Sequence, residues 1–141
     1  MPKSKDLQHE LTKRINALEE AYEFMLAYAA QGRQGEESGT GDNIRTFLER
    51  ADAALEGLGP LSHAVFQGLG AVPTSGYQKF IEVLGEDAQK AQAAIRMVLS
   101  LPSISSQLTD NLNSSIHLRT LLTDLFLIDE VLKTTYKVIK T

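Results

Sequence analysis

Leu7, Leu11, Ile15, Leu18, Tyr22, Met25 and Ala29 recur at spacings of 4, 4, 3, 4, 3 and 4. Apolar residues at that period lie along one side of an α-helix, because 3.6 residues complete a turn. Ser4 is the expected N-cap and Gly32 the expected stop. The helix then covers about residues 4–31, roughly 42 Å at 1.5 Å per residue. A helix that long in a chain of 141 residues obliges the remaining elements to line up beside it. Phe24, Leu26, Tyr28 and Ala30 widen its apolar surface towards the C-terminal end, which predicts a second contact surface there.

The same period returns three more times. Ile44, Phe47, Leu48, Ala51, Leu55 and Leu58 form the stripe of a helix over about 43–58. Asp42 is its expected cap, and Gly59 with Pro60 its expected end. A short helical piece over 61–69 follows, then a turn or loop over 70–76 containing Pro73. Tyr77, Phe80, Ile81, Leu84, Ala88, Ala91, Ile95 and Val98 mark a helix over about 77–101, ended by Pro102. Gly85 inside it costs about 1 kcal/mol against Ala and predicts a local bend. Ala88, Ala91, Ala93 and Ala94 offer a small-residue surface for close helix approach.

Residues 103–115 are rich in Ser, Asn and Thr, with Ile104, Leu108 and Leu112 at spacing four. They read as a short helix or as the start of the last one. From Ile116 onward, Leu118, Leu121, Leu122, Leu125, Phe126, Leu132, Tyr136 and Ile139 carry a wide stripe. Leu127, Ile128 and Val131 extend it around the helix. A helix apolar over so much circumference is central or contacts a partner chain. Lys133, Lys137 and Lys140 sit where the helix dipole favours cations.

No period-two alternation and no Asn-Gly hairpin signal are present, so no strand is expected. The expected fold class is all-α: an antiparallel bundle of four main helices with one or two short extra helices. The length predicts a single domain over 1–141, interrupted by a flexible loop at about 33–41, where the sequence runs QGEESGTG from Gln34.

The chain has 14 basic and 18 acidic residues, interspersed, for a formal net charge of −4. That balance argues against nucleic acid as a partner, since such proteins concentrate a basic excess on one face. No apolar run approaches the ~20 residues a membrane span needs. The first ten residues lack an apolar signal core, so a cytoplasmic location is expected. The absence of cysteine removes thiolate metal sites, disulfides and cysteine nucleophiles.

Catalytic patterns are sparse. The three histidines are His9, His63 and His117. There is no G-x-S-x-G, and the stretch from Gly68 to Gly76 lacks the Lys-Ser/Thr end of a phosphate-binding loop. No Glu-x-x-His pair exists, although paired copies build di-metal sites in helical bundles. The nearest pattern is Asp6 with His9, and Glu10 beside it. His117 precedes Asp124 by seven residues, two turns away on the same side of a helix. His9-Glu10-Leu11 and His117-Leu118-Arg119-Thr120 each resemble fragments of the phosphoacceptor helix of histidine kinases, and neither keeps the full motif.

These features predict a non-enzymatic helical interaction protein: a regulator, adaptor, chaperone or assembly factor acting through apolar helix faces. The expected interaction surface is Tyr28, Leu125, Ile128 and Leu132, the expected state a homodimer, and no cofactor is expected. The alternative is a bundle binding a small ligand or metal, or an enzyme built on such a site, through Asp6, His9, Glu10, His117 and Asp124.

Overall fold

A computed structural model of the chain describes residues 4–36, 43–68 and 75–140. Among them the order of elements is α1 (Ser4–Ala29), α2 (Ile44–Leu55), α3 (Leu58–Gly68), α4 (Ser75–Leu99), α5 (Ser106–Ile116) and α6 (Leu118–Lys140), with no strand. The helices pack as a bundle of the expected all-α class.

Long-range contacts give the directions. α1 and α2 are antiparallel: Phe24 stacks on Phe47 with ring centroids 4.3 Å apart, while Arg14 donates to the Glu56 carbonyl. α2 and α3 together run antiparallel to α4. Arg45 donates to the Leu99 carbonyl at one end, Gln92 to the Asp52 carbonyl further along, and Phe66 stacks on Tyr77 at the other end. α5 folds back along α4, with Lys90 Nζ donating to the Ser115 carbonyl.

The bundle therefore holds two long helices, α1 of 26 residues and α4 of 25, each followed by an antiparallel partner that breaks partway. In the first partner α2 ends after 12 residues and α3 supplies 11 more. In the second, α5 ends after 11 residues and α6 takes over. Each break passes through a residue in the left-handed region: Gly57 with φ 61°, and His117 with φ 48°. Glycine adopts that region freely because it lacks Cβ; histidine does so at a cost.

Several boundaries differ from expectation. The cap of α2 is Asn43, whose side chain accepts from the Thr46 N–H at 3.1 Å; Asp42 lies outside the described residues. The chain breaks at Gly57 rather than at Gly59 and Pro60, which sit inside the first turn of α3. Proline is tolerated there because the first-turn N–H groups have no partner within the helix. Gly85 is matched to Gly59: a Cβ on Gly59 would stand 2.9 Å from the Gly85 Cα, so α3 and α4 cross backbone to backbone. Residues 103–115 resolve into a separate helix capped by Ser105, whose Oγ accepts from Leu108 N–H at 3.0 Å.

The core is one cluster. Leu18, Met25, Ile44, Leu48, Leu55, Leu84, Ile95, Ile104, Leu118 and Leu125 are among its fully buried members. Its upper end is tied by polar bonds. Tyr28 Oη donates to the Ile104 carbonyl at 2.6 Å. Ser106 Oγ donates to the Tyr28 carbonyl at 2.6 Å and accepts from Arg33 N–H at 2.8 Å. Glu36 accepts twice from Arg45, at 2.9 and 3.1 Å, and once from Ile104 N–H at 3.1 Å. Arg33 and Glu36, at the start of the expected flexible loop, are thus anchored to α1, α2 and α5. The rest of that loop, 37–41, lies outside the described residues, as do 69–74.

Candidate functional site: the outer side of α6

The expected interaction surface is corrected by burial. Tyr28 is 5% exposed, Leu125 1% and Ile128 3%, so all three face the chain's own core. The side chain of Leu132 is outside the described ones. The wide stripe of α6 has a simple cause. A helix in a four-stranded bundle touches two neighbours, and α6 packs against both α1 and α4. Covering two neighbours takes a broader apolar sector than covering one.

The expected ligand set does not assemble. Asp6 and His9 are exposed on the first turns of α1. Glu10 pairs with Arg14 at 3.0 Å, a bond that holds its carboxyl below the ordinary range. His117 caps α5, and its small cleft, about 140 Å³, is lined by Asp87, Lys90, Ser115 and Thr120, with none of the α1 candidates. Asp124 is half-buried, and burial with Asp87 nearby pushes its carboxyl up. Among the described residues no group of three or more His, Asp or Glu stands close enough to share a metal ion. His63 is partly buried in α3. A second, more open cleft of about 260 Å³ lies where Arg33, Gln34, Ser105, Gln107 and Asp110 surround the start of α5.

The feature that stands out is on the other side of α6. Phe126, Leu127 and Val131 are 46%, 52% and 42% exposed. Leu127 and Val131, four apart, belong to a lane that also holds Thr120, Thr123 and Thr134. All five are exposed, and they lie away from the core-facing Leu118, Leu122 and Leu125. An exposed helix side is normally charged; these five positions carry no charge, although Asp124, seven before Val131, and Glu130, seven after Thr123, border them. Two of its threonines turn their polar atom back into the helix. Thr123 Oγ1 donates to the Arg119 carbonyl and Thr134 Oγ1 to the Glu130 carbonyl, each at 2.9 Å. With the hydroxyls satisfied by the helix itself, the lane behaves as a more apolar strip than its composition suggests.

The described buried side chains of α6 lie within its first eleven positions, ending at Ile128, the length that α3 occupies in the other half of the bundle. Asp129 falls four residues after Leu125 on the core-facing stripe, yet it is exposed and pairs with Lys133 at 3.0 Å. The helix axis continues to Lys140. The lane at Leu127 and Val131 flanks Ile128, the last of the described buried side chains of α6.

The sequence signal for this lane was present in Leu127 and Val131. Both residues are apolar and adjoin an already wide core stripe, so periodicity alone does not set them apart. Only burial separates them. No known protein family, curated protein or solved structure matches the chain. No helix among the described residues is long and apolar enough to cross a membrane.

Proposed function

We propose that this chain is a helical interaction protein, a regulator, adaptor or assembly factor, and that it binds a protein partner through the outer lane of α6. The carrying observation is the uncharged exposed strip Thr120, Thr123, Leu127, Val131 and Thr134. Spacings of 3, 4, 4 and 3 suit docking of one amphipathic helix along another. Burying Leu127 and Val131 on a partner removes apolar surface from water at about 25 cal/mol per Å². A cytoplasmic setting is part of this reading.

The test is a double substitution, Leu127→Glu with Val131→Glu. Both side chains lie outside the core, so thermal unfolding of the variant should match that of the parent. Proximity labelling in cells should then show a partner set that the variant loses. An identical partner set for parent and variant would overturn the proposal.

A further inference from the structure

We infer that the junction at His117 is a hinge: α5 and α6 join there into one continuous helix, and two copies of this chain then exchange their α6 segments. The backbone on both sides is already in helical register. The His117 N–H donates to the Asn113 carbonyl at 3.2 Å, and the His117 carbonyl accepts from the Leu121 N–H at 3.0 Å. Both bonds span four residues, as in an unbroken α-helix. Only His117 itself departs, with φ 48° and ψ 48°. Among the described residues it is the one non-glycine with positive φ, a conformation that a Cβ makes costly.

Rotating that residue into the right-handed region removes the cost. It also lets Leu118, Arg119 and Thr120 donate to the carbonyls of Ser114, Ser115 and Ile116. In the bent form the Ser115 carbonyl takes Lys90 Nζ instead, at 3.3 Å. No glycine or proline lies between Ser106 and Lys140 to oppose a continuous helix. The break between α2 and α3 cannot straighten in this way. Pro60 lacks the N–H that would bond the Glu56 carbonyl, and its ring would clash with that oxygen, which Arg14 holds instead.

Exchange follows from what straightening exposes. The left-handed residue turns the chain between α5 and α6, so a straight helix carries α6 off its own α1 and α4. Leu121, Leu122, Leu125 and Ile128, all buried in the bent form, would then enter water. A second straightened copy has the matching places vacant, and mutual exchange re-forms the contacts of α6 with α1 and α4 across the two chains. A short hinge under strain is the arrangement that invites such exchange. Leu127 and Val131 take no part, so the inference is independent of the outer lane.

The full chain, held at high concentration a few degrees below its melting midpoint and then cooled, should yield a dimer on gel filtration. Its helix content by circular dichroism should be no lower than the monomer's. His117→Gly removes the strain from the bent form and weakens the straight helix. It should lower the association constant about a hundred-fold, roughly ten-fold at each of the two hinges. His117→Ala keeps the strain and favours the helix, so it should raise that constant. Leu127→Glu with Val131→Glu should dimerise like the parent. Melting curves of the monomers check that each variant is folded. A parent that never dimerises, or a dimer equally populated in His117→Gly and His117→Ala, would overturn the hinge. A dimer lost on Leu127→Glu with Val131→Glu would overturn exchange and leave the outer lane as the contact surface.

Discussion

A Cβ placed on Gly59 would stand 2.9 Å from the Cα of Gly85, whereas one placed on Gly85 would stand 3.5 Å from the Cα of Gly59. The pair is close but not symmetric. The first distance collides with backbone that cannot give way; the second is ordinary van der Waals contact. Gly59→Ala should therefore destabilise the protein by about 1–3 kcal/mol, the usual cost of overpacking. Gly85→Ala should be neutral or stabilising by up to about 1 kcal/mol, since it gains helix propensity without a clash. Urea unfolding of the two single variants reads the contrast. Equal destabilisation by both would show the two glycines to be equivalent, contrary to the geometry.

His117 holds φ 48° and ψ 48° between α5 and α6, with its N–H donating to the Asn113 carbonyl at 3.2 Å. A side chain in that region costs about 1–2 kcal/mol, which glycine avoids. His117→Gly should raise stability, by less than that figure because glycine also gains freedom in the unfolded chain. His117→Val should lower it, since a β-branched residue tolerates this conformation least. If His117→Gly melts earlier than the parent, the imidazole contributes contacts that outweigh the backbone cost.

Burial pushes the Tyr77 hydroxyl up to about 12 from an ordinary value of 10.0. The folded state thus holds the neutral phenol more tightly than the unfolded chain does. The associated stability is present below pH 10 and is lost as pH rises towards 12. Tyr77→Phe keeps the stack on Phe66, whose centroid lies 3.8 Å away, and removes the hydroxyl, which donates a long bond of 3.4 Å to the Ser62 carbonyl. Relative to the parent, the variant should gain stability as pH rises above 10. Unfolding followed at a series of alkaline pH values checks this.

Asp124 titrates above its ordinary 3.8 because burial and the neighbouring Asp87 both disfavour its charge. A carboxyl raised on folding stabilises the native state while protonated, and that contribution disappears as pH rises through its folded value. Asp124→Asn should consequently be more stable than the parent at pH 7, with the gain shrinking to nothing as pH falls below 4. A gain that is independent of pH would assign the effect to packing instead of charge.

Removing the Tyr28 hydroxyl probes the polar tie at the top of the bundle. Tyr28→Phe leaves the buried Ile104 carbonyl without its 2.6 Å donor. An unsatisfied buried acceptor costs about 1–3 kcal/mol, more than the net worth of an average hydrogen bond. Denaturant midpoints should fall accordingly. Amide exchange should quicken most around Ile104 and Ser106, where the bonds from Tyr28 and Arg33 converge.

How far the sequence can be read is clearest at the helix breaks. The stretch GLGP offers two glycines, and the terminal Gly-Pro pattern points to the second. The first takes the left-handed conformation because the second is needed where α3 meets α4. His117 gives only a weak signal, since histidine enters the left-handed region less readily than glycine; there its N–H donates to the Asn113 carbonyl and closes α5. The candidate ligands failed for a related reason. Asp6, His9 and Glu10 share one helix face with each other, but proximity to His117 and Asp124 required a meeting of separate helices that the bundle does not arrange.

The helices, and the absence of strands among the described residues, were contained in the spacing of apolar residues, because periodicity is a local property that any single helix displays. Which apolar residues end up covered was not. Tyr28, Leu125 and Ile128 are buried by helices distant in the chain, while Leu127 and Val131, equally apolar and one turn from them, stay in water. Burial depends on what stands opposite a helix face, and for the described part of α6 that was settled by where α1 and α4 run alongside it.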